Sequence, residues 1–358
     1  MTVALKGTII INTQAQAMTS ILPKVMRAVV CPSVPIPPSG LVYTTSHPAP
    51  SPKAGHVLIQ VKAFGLNRSE LFTRQGHSPG IEYPRVLGIE CVGEVADSGG
   101  SDVWKVGDKV AAIMGGMGRQ FDGGYAEYTS VPQQNVSFPI SLPSNIGWAE
   151  FAAIPETFLT AWGTLDRSLA LSSSDTLLIR GGSSSVGMAA ATLAKVLFSC
   201  PRVISTTRAQ GKIDSVKAGG ADEVVIEVDG KVNQDVMRIT NGKGADKCIE
   251  LIGGTVLSDT CASVGPEGVI SIVGCVGGEW SLNGFDYFAA LAPNKSLKVF
   301  SSDKVDIHKS PLQKIVDMVS SGKMKLGLDK VFNIEQAGEA QEYMEANSAT
   351  GKVVCIVG

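Results

Sequence analysis

Residues 176–187 read Thr-Leu-Leu-Ile-Arg-Gly-Gly-Ser-Ser-Ser-Val-Gly and carry the clearest indication of the fold. The apolar run 176–179 is typical of a buried strand, and a helix-forming stretch rich in Ala, Leu and Met follows the glycines. Small residues between a strand and a helix allow a tight turn, in which the helix N-terminus can bind a pyrophosphate. Aligned as Gly-x-Gly-x-x-Gly, the stretch has serine at the middle position. We therefore expect a dinucleotide-binding turn rather than a simple helix cap, made of Gly182, Ser183, Ser184, Ser185, Val186 and Gly187.

The chain around this turn alternates between predicted strands and helices. Such alternation favours a mostly parallel sheet with helices on both faces. The predicted fold class is therefore α/β, with a Rossmann-type doubly wound parallel sheet over residues 150–300. The predicted helices span 150–165, 186–198, 210–218, 232–240 and 256–264, and the predicted strands span 176–179, 203–206, 223–226, 247–251 and 269–273.

Short β-strands separated by Gly and Pro dominate the first part of the chain. The Pro- and Ser-rich stretch 32–52 is predicted to be a loop or an irregular edge. This pattern predicts a β-barrel-like domain, which together with an N-terminal extension occupies residues 1–149. The segment 301–358 is expected to return to that domain. The strands predicted for the domain are 27–31, 57–63, 91–96 and 109–113, and the last segment has predicted helices at 312–320 and 334–347 and a strand at 353–357.

Composition limits the classes of function. The formal net charge is −2 and the pI is about 6.1, so we expect no basic surface for nucleic acid or for an anionic membrane. No apolar run reaches the ~18 residues of a membrane-spanning helix. Seven scattered cysteines without a CxxC pair, and four histidines without metal-ligand spacing, argue against a disulfide framework and a metal site. We expect reduced thiols in a cytoplasmic protein whose partner is a small-molecule substrate.

The first 25 residues leave two interpretations open. No acidic residue occurs before Glu70, as in organelle transit peptides, but no arginine occurs before Arg27 and no basic amphipathic helix is evident. An extension that lies on the body of the protein is the favoured interpretation, and a targeting segment is the alternative.

The end of the second predicted strand indicates which dinucleotide binds. A site for NAD commonly has an acidic residue there, which binds the ribose hydroxyls. This chain instead has Thr206, Thr207 and Arg208, followed by Lys212, and its next acidic residue is Asp214. Hydroxyls and a guanidinium suit a 2′-phosphate, which an arginine can bind with two hydrogen bonds. We therefore predict NADPH as the cofactor, in preference to NADH.

Further motifs outside the turn carry a family resemblance. They are Val61-Lys62-Ala63-Phe64-Gly65-Leu66-Asn67, Gly88-Ile89-Glu90, Val106-Gly107-Asp108-Lys109-Val110, Gly123-Gly124-Tyr125-Ala126-Glu127-Tyr128, Thr160-Ala161-Trp162 and Gly351-Lys352-Val353-Val354. Together with the glycine-rich turn, they make residues 26–358 resemble the medium-chain dehydrogenase/reductase superfamily. That resemblance implies a GroES-like catalytic domain beside the Rossmann-type domain.

The branch of the superfamily is indicated by missing ligands. Its zinc alcohol dehydrogenases have a cysteine at the position of Asn67, a histidine at that of Ile89, and a four-cysteine lobe that this chain lacks. A catalytic zinc takes three protein ligands, so a zinc alcohol dehydrogenase is disfavoured. The chain is similar instead to the zinc-independent quinone oxidoreductase and enoyl reductase branch.

The resemblance also implies site residues and an activity. It places Asn67 beside the nicotinamide ribose, Thr160 near the carboxamide, and Val273, Gly274 and Cys275 in contact with the cofactor. The implied activity is NADPH-dependent hydride transfer to a quinone or an activated double bond. The implied assembly is a homodimer that pairs sheet edges near residues 297–300.

Two alternatives remain open at this point. Tyr125 or Tyr128 is a candidate proton donor, although both tyrosines could be packing aromatics of a strand. The chain could also be an NADPH-binding protein with vestigial catalysis that acts as a redox sensor or an interaction protein. Phe72 favours that alternative, because quinone reductases commonly have a tyrosine there.

Overall fold

A computed structural model describes residues 22–358 of the chain, and most of the predicted N-terminal extension lies outside this range. The strands are β1 (Val25–Cys31), β2 (Val42–Pro48), β3 (His56–Gly65), β4 (Arg85–Val86), β5 (Glu90–Asp97), β6 (Lys109–Ile113), β7 (Tyr128–Pro132), β8 (Thr176–Arg180), β9 (Arg202–Thr207), β10 (Glu223–Ile226), β11 (Ala245–Glu250), β12 (Val264–Ile272), β13 (Ser296–Val299), β14 (Leu328–Asn333) and β15 (Lys352–Ile356). The helices are α1 (Arg68–Arg74), α2 (Trp148–Ala152), α3 (Pro155–Gly163), α4 (Ser185–Val196), α5 (Ile213–Ala218), α6 (Asn233–Ile239), α7 (Leu257–Ser263), α8 (Tyr287–Leu291), α9 (Leu312–Ser320) and α10 (Ala337–Glu345).

A six-stranded parallel sheet forms the second unit, in the order β10-β9-β8-β11-β12-β13. Its central strand β8 is buried on both faces, which explains why its sequence is an apolar run rather than an alternating one. The strand order reverses between β8 and β11, and ligands of such sheets bind at the carboxyl ends of the strands at this switch point. The Rossmann-type doubly wound sheet is therefore confirmed.

A mixed sheet forms the first unit, in the order β14-β15-β3-β5-β6, with β7 also paired to β3. Strand β15 pairs antiparallel with β3, so the last strand of the chain completes a sheet begun by residue 56. A separate three-stranded sheet contains β2, β1 and β4. The domain boundaries at 149/150 and 300/301 stay predictions.

Helix α3 joins the two units. It packs against α4 of the second unit and against β5 and β6 of the first. Phe158 and Leu159 are buried in a hydrophobic core that also includes Ile113 and Leu193. A helix held from both sides is a rigid support, and its N-terminal turn faces the cleft between the units.

Two local predictions are wrong. The stretch 32–52 contains β2, which pairs antiparallel with β1, because its Val-Tyr-Thr-Thr run favours a strand despite the flanking prolines. Residues 150–165 form two helices rather than one, because Pro155 has no N–H with which to continue the hydrogen bonds of a single helix. Pro155 instead begins α3, where its missing N–H costs nothing.

Candidate active site

A cleft of about 700 Å³ lies between the two units at the carboxyl ends of the parallel strands. Both units contribute to its walls. From the predicted set, its lining includes Asn67, Thr160, Ser183, Ser184, Ser185, Val186, Thr206, Thr207, Arg208, Val273, Gly274 and Cys275. The cleft thus brings together most of the residues that the sequence singled out.

The glycine-rich turn has the close contacts that require small residues. A Cβ added to Gly182 would lie 2.7 Å from the Cβ of Ser205, and one added to Gly187 would lie 2.6 Å from the carbonyl oxygen of Gly181. Gly182 and Gly187 therefore pack against neighbouring residues of the protein and do not line the cleft, whereas the serines of the turn do.

Ser184 caps the helix that follows the turn. Its hydroxyl accepts a hydrogen bond from the Gly187 N–H at 3.1 Å and donates one to the Gly181 carbonyl at 2.8 Å. This capping role explains why serine replaces the middle glycine of the pattern. The first N–H groups of the twelve-residue helix α4 have no partner within the helix, so they suit a pyrophosphate.

A buried network of ion pairs and hydrogen bonds lies at the strand ends next to the turn. Arg180, fully buried at the end of β8, pairs with Glu227 at 2.8 Å and with Asp259 at 2.9 Å. Glu250, at the end of the adjacent strand, accepts the backbone N–H groups of Ile252 and Gly253. These bonds fix the ends of β8 and β11, between which the strand order reverses.

Three cations gather near the end of β9. Arg208 lines the cleft directly after that strand, and Arg68 of α1 lines it from the first unit. The pKa of Arg68 is lowered, mainly by burial and in part by the charge of Arg208. The pKa of Lys212 is lowered by the same two causes. Lys212 is not part of the cleft lining, and its ammonium donates to the carbonyl oxygens of residues 347 and 349; its contact with the cofactor stays a prediction.

The side chain of Asn67 is held between two charged groups. Its amide nitrogen donates to Glu90 Oε1 at 3.0 Å, and its amide oxygen accepts from Lys352 Nζ at 2.7 Å. Lys352 also bonds Glu90 Oε1 directly, at 2.5 Å. Glu70 accepts the backbone N–H of Asn67, so the residue is fixed at the start of α1. Asn67 therefore presents a defined orientation to the cleft.

Thr160 belongs to a small polar group with Glu156 and Ser302. The hydroxyls of Thr160 and Ser302 donate to Glu156 Oε1 at 2.9 Å and 2.6 Å. Burial raises the pKa of Glu156 to about 7, and the negative charge of Glu90 adds to the effect. All three residues line the cleft.

Tyr125 lies outside the cleft. Its ring is fully buried against Phe64, with ring centroids 4.4 Å apart, and its hydroxyl faces Gln341 at 3.5 Å. Burial raises its pKa well above 10. This corrects the prediction that Tyr125 donates a proton, since its hydroxyl has no access to a substrate in the cleft. Tyr128 lies on β7 and likewise does not line the cleft.

The far end of the cleft is largely apolar. Phe72 and Trp280 meet edge to face with ring centroids 4.9 Å apart, and Ile89 and Met114 lie on the same wall. Arg119 adds a positive charge and donates to the hydroxyl of Ser69, one turn before Phe72. The Cys275 thiol donates to the Glu279 carbonyl oxygen at 3.1 Å, and burial raises its pKa.

Sequence reasoning missed Arg68, Arg119, Glu156 and Ser302. One signal was available for Glu156, because it precedes Thr160 by four residues and so shares its face of a helix. Arg68 directly follows Asn67 but lines the cleft at the cofactor end, which only the packing of the two units determines.

All seven cysteines are free and buried in the structure. Within residues 22–358 no three His, Cys, Asp or Glu side chains are grouped so as to hold a metal ion. Over the same range no helix is long and apolar enough to cross a membrane.

Comparison with known proteins gives two family matches. The alcohol dehydrogenase GroES-like domain matches residues 53–141, and the zinc-binding dehydrogenase family matches residues 219–355. The chain is 27% identical over 320 residues to a quinone oxidoreductase of Homo sapiens, with 86% of this chain and 91% of the relative covered. It is 26% identical over 344 residues to an NAD-dependent alcohol dehydrogenase of Sulfurisphaera tokodaii, with 86% and 94% covered.

A solved structure extends the match to the whole fold. The crystal structure of an NAD-dependent alcohol dehydrogenase is 31% identical and superposes with a TM-score of 0.81, over 93% of this chain and all of the other. The GroES-like and Rossmann-type expectations are both confirmed. The protein is therefore an oxidoreductase that belongs to the medium-chain dehydrogenase/reductase superfamily, in its quinone oxidoreductase branch.

Proposed function

We propose that this protein is an NADPH-dependent reductase that acts, without zinc, on a quinone or an activated α,β-unsaturated double bond. The observation that carries the proposal is the cleft, in which a dinucleotide turn and a cationic edge lead to an apolar pocket beside Asn67 and Thr160. When bound, the reduced nicotinamide supplies the hydride. The residues of the chain bind and orient the reactants and exclude water from them.

The charges at the end of β9 support NADPH over NADH. Arg208 and Arg68 both line the cleft there, beside the hydroxyls of Thr206 and Thr207. A 2′-phosphate between two guanidinium groups would form charge-assisted hydrogen bonds and relieve their mutual repulsion. Glu227, which directly follows the next strand β10, is paired with Arg180, so its carboxylate is already occupied.

The surroundings of Asn67 support chemistry without zinc. The ammonium of Lys352 lies between Asn67 Oδ1 and Glu90 Oε1, so a positive charge already occupies the space beside them. A dication placed near that ammonium would be repelled by it. The side chains of Asn67 and Ile89 also lack the soft or imidazole donors that zinc prefers.

The apolar end of the cleft supports an unsaturated carbonyl substrate. Phe72 and Trp280 offer aromatic surface to a flat ring or a conjugated chain. Arg119 offers a positive charge to the oxygen of the acceptor, on which negative charge develops when a hydride arrives.

A binding protein without turnover is the second candidate. The observation in its favour is Phe72, which brings a ring but no hydroxyl to the substrate end of the cleft. Oxidation of the cofactor by any acceptor would exclude it.

We also propose a homodimer and a cytoplasmic location. Strand β13 is an edge of the parallel sheet, and its Val299 is 81% exposed; Phe288 of α8 is another exposed apolar side chain. Pairing of two such edges would cover this surface. The seven free thiols are consistent with a reducing compartment. Light scattering of the wild type and of Val299→Lys would test the dimer, which the lysine should weaken.

The proposed activity is tested by mixing the purified protein with NADPH or NADH and following cofactor oxidation against a simple quinone and a simple enone. We expect turnover with a preference for NADPH, and the same rate after dialysis against a zinc chelator. Tight NADPH binding without turnover would support the binding protein, and a rate that depends on zinc would contradict the proposal.

A further inference from the structure

One of the two carboxyl oxygens of Glu156 has no hydrogen-bond partner in the protein. Glu156 Oε1 accepts two hydroxyl hydrogen bonds, whereas Oε2 is buried and has none. Within the described part of the chain, it is the one buried carboxylate oxygen in this state. An ionised oxygen left in that state is costly, so Oε2 requires either a proton or a donor from a ligand. The residue is only 6% exposed and lines the cleft.

The charges around Glu156 favour the proton. Its backbone N–H donates to Glu90 Oε2 at 2.9 Å, which places two carboxyl groups close together. The facing cation is Lys352, and its ammonium is bound to Glu90 Oε1 rather than to Glu156. Glu156 therefore shares a buried space with Glu90, and the ammonium that faces both carboxyl groups is bound to Glu90. Burial raises the pKa of Glu156 to about 7, and the negative charge of Glu90 adds to the effect; near this pH a group can both give and regain a proton.

We propose that Glu156 donates, through Oε2, the proton that accompanies hydride transfer in the reduction proposed above. The acceptor gains one hydride from the reduced nicotinamide and one proton from Glu156, and it loses one π bond. The nicotinamide is oxidised by two electrons, and Glu156 is left as a carboxylate. Thr160 and Ser302 stabilise that carboxylate, because both hydroxyls already donate to Oε1. Bulk water restores the proton between turnovers.

The first test is Glu156→Gln, which preserves the size of the side chain and the acceptor for Thr160 and Ser302. For the wild type we expect enone reduction to fall as the pH rises through about 7. The variant should lose this dependence and about 10²- to 10⁴-fold in kcat. Its Kd for NADPH, measured by fluorescence, should stay within about twofold of the wild type, since a proton-transfer role leaves cofactor binding intact.

A second readout does not depend on turnover. Infrared difference spectra of the wild type between pH 6 and 8 should show a buried carboxyl C=O band that disappears as the pH rises, and Glu156→Gln should lack it. Ser302→Ala, which removes a hydrogen bond to the carboxylate, should move both the band and the activity to higher pH. Ser310→Ala is the matched control, because its hydroxyl bonds the Ile307 carbonyl oxygen instead.

The outcomes separate this inference from the function on which it rests. A wild type that oxidises NADPH, together with a Glu156→Gln variant within about threefold of its rate and with the same pH profile, would overturn the inference alone. An unshifted profile in Ser302→Ala would also count against it. A wild type that oxidises no NADPH with any acceptor would overturn the proposed function and this inference together.

Discussion

Lys352 and Glu90 form a buried ion pair across 262 positions of sequence, with Nζ 2.5 Å from Oε1. Both side chains are at most 2% exposed. The pair joins β15 to β5 and holds the amide of Asn67.

Removing the cation of this pair should destabilise the fold. Lys352→Met leaves the Glu90 charge buried without its partner, which typically costs about 3–5 kcal/mol of unfolding free energy. Urea denaturation would measure the loss, with the exposed Lys323→Met as the control. The double variant Lys352→Met with Glu90→Gln should recover part of the stability. A single variant as stable as the wild type would show that the pair contributes little.

Arg208→Ala should weaken NADPH binding and spare NADH. Loss of a charge-assisted contact to the 2′-phosphate corresponds to about 1.5–3 kcal/mol, or roughly 10- to 100-fold in Kd. Fluorescence titration with both cofactors would measure it. Arg202→Ala is the matched control, because Arg202 lies at the amino-terminal end of β9, and Arg208 directly follows the carboxyl end of that strand. An equal loss for NADH and NADPH would argue against a 2′-phosphate contact.

Gly182→Ala should abolish dinucleotide binding. The new methyl group would lie 2.7 Å from the Cβ of buried Ser205, so the turn has to move, at a typical cost of about 1–3 kcal/mol. Gly211→Ala is the control, since nothing lies within 4 Å of its added Cβ. Calorimetric titration with NADPH and thermal unfolding would report both effects. Unchanged binding in Gly182→Ala would contradict the role of this close approach.

Stability should depend on pH through Glu156. Its pKa is raised from 4.5 to about 7, so the folded state binds more protons than the unfolded state between these values. The free energy of unfolding should therefore fall as the pH rises from about 4.5 to 7. The measurement is the urea midpoint of the wild type minus that of Glu156→Gln, as a function of pH. A difference that does not change with pH would be inconsistent with the shift.

Arg119→Met should impair the reduction of carbonyl acceptors. If the guanidinium stabilises developing negative charge on the acceptor oxygen, kcat/KM should drop by roughly 10²-fold, with little change in NADPH affinity. Steady-state kinetics with a quinone and an enone would test this. Arg238→Met, an exposed residue of α6, provides the control. An unchanged kcat/KM would place the acceptor oxygen elsewhere.

The sequence predicted those strands and turns whose formation depends on interactions between residues close together in the chain. The apolar run of β8 and the small residues after it sufficed for the dinucleotide turn, because both the strand and the close approach at Gly182 are set by neighbouring residues. Strands β5 and β6 were also predicted, each as a short strand in a region broken by Gly and Pro.

Features that depend on packing between distant segments were not predictable in this way. One hydrogen-bond partner of Asn67 is Lys352, and this contact exists only because β15 pairs with β3. Tyr125 was selected because of its motif. Its side chain is buried in the core against Phe64, and the motif alone does not indicate this orientation. Glu156 could have been found from its spacing to Thr160, yet its raised pKa depends on burial and on Glu90.

The pairing of β15 with β3 has a consequence for biosynthesis. Domains generally fold from the N-terminus during synthesis, as the ribosome releases them. The first unit of this protein is an exception, because a strand in the interior of its sheet follows the whole second unit in the chain. A nascent chain would therefore carry an unpaired edge on β3 until β15 has been synthesised, and Asn67 would acquire its fixed orientation only afterwards. Catalytic competence should consequently appear only after β15 has been synthesised, and until then chaperones that bind open sheet edges should have the opportunity to bind at β3.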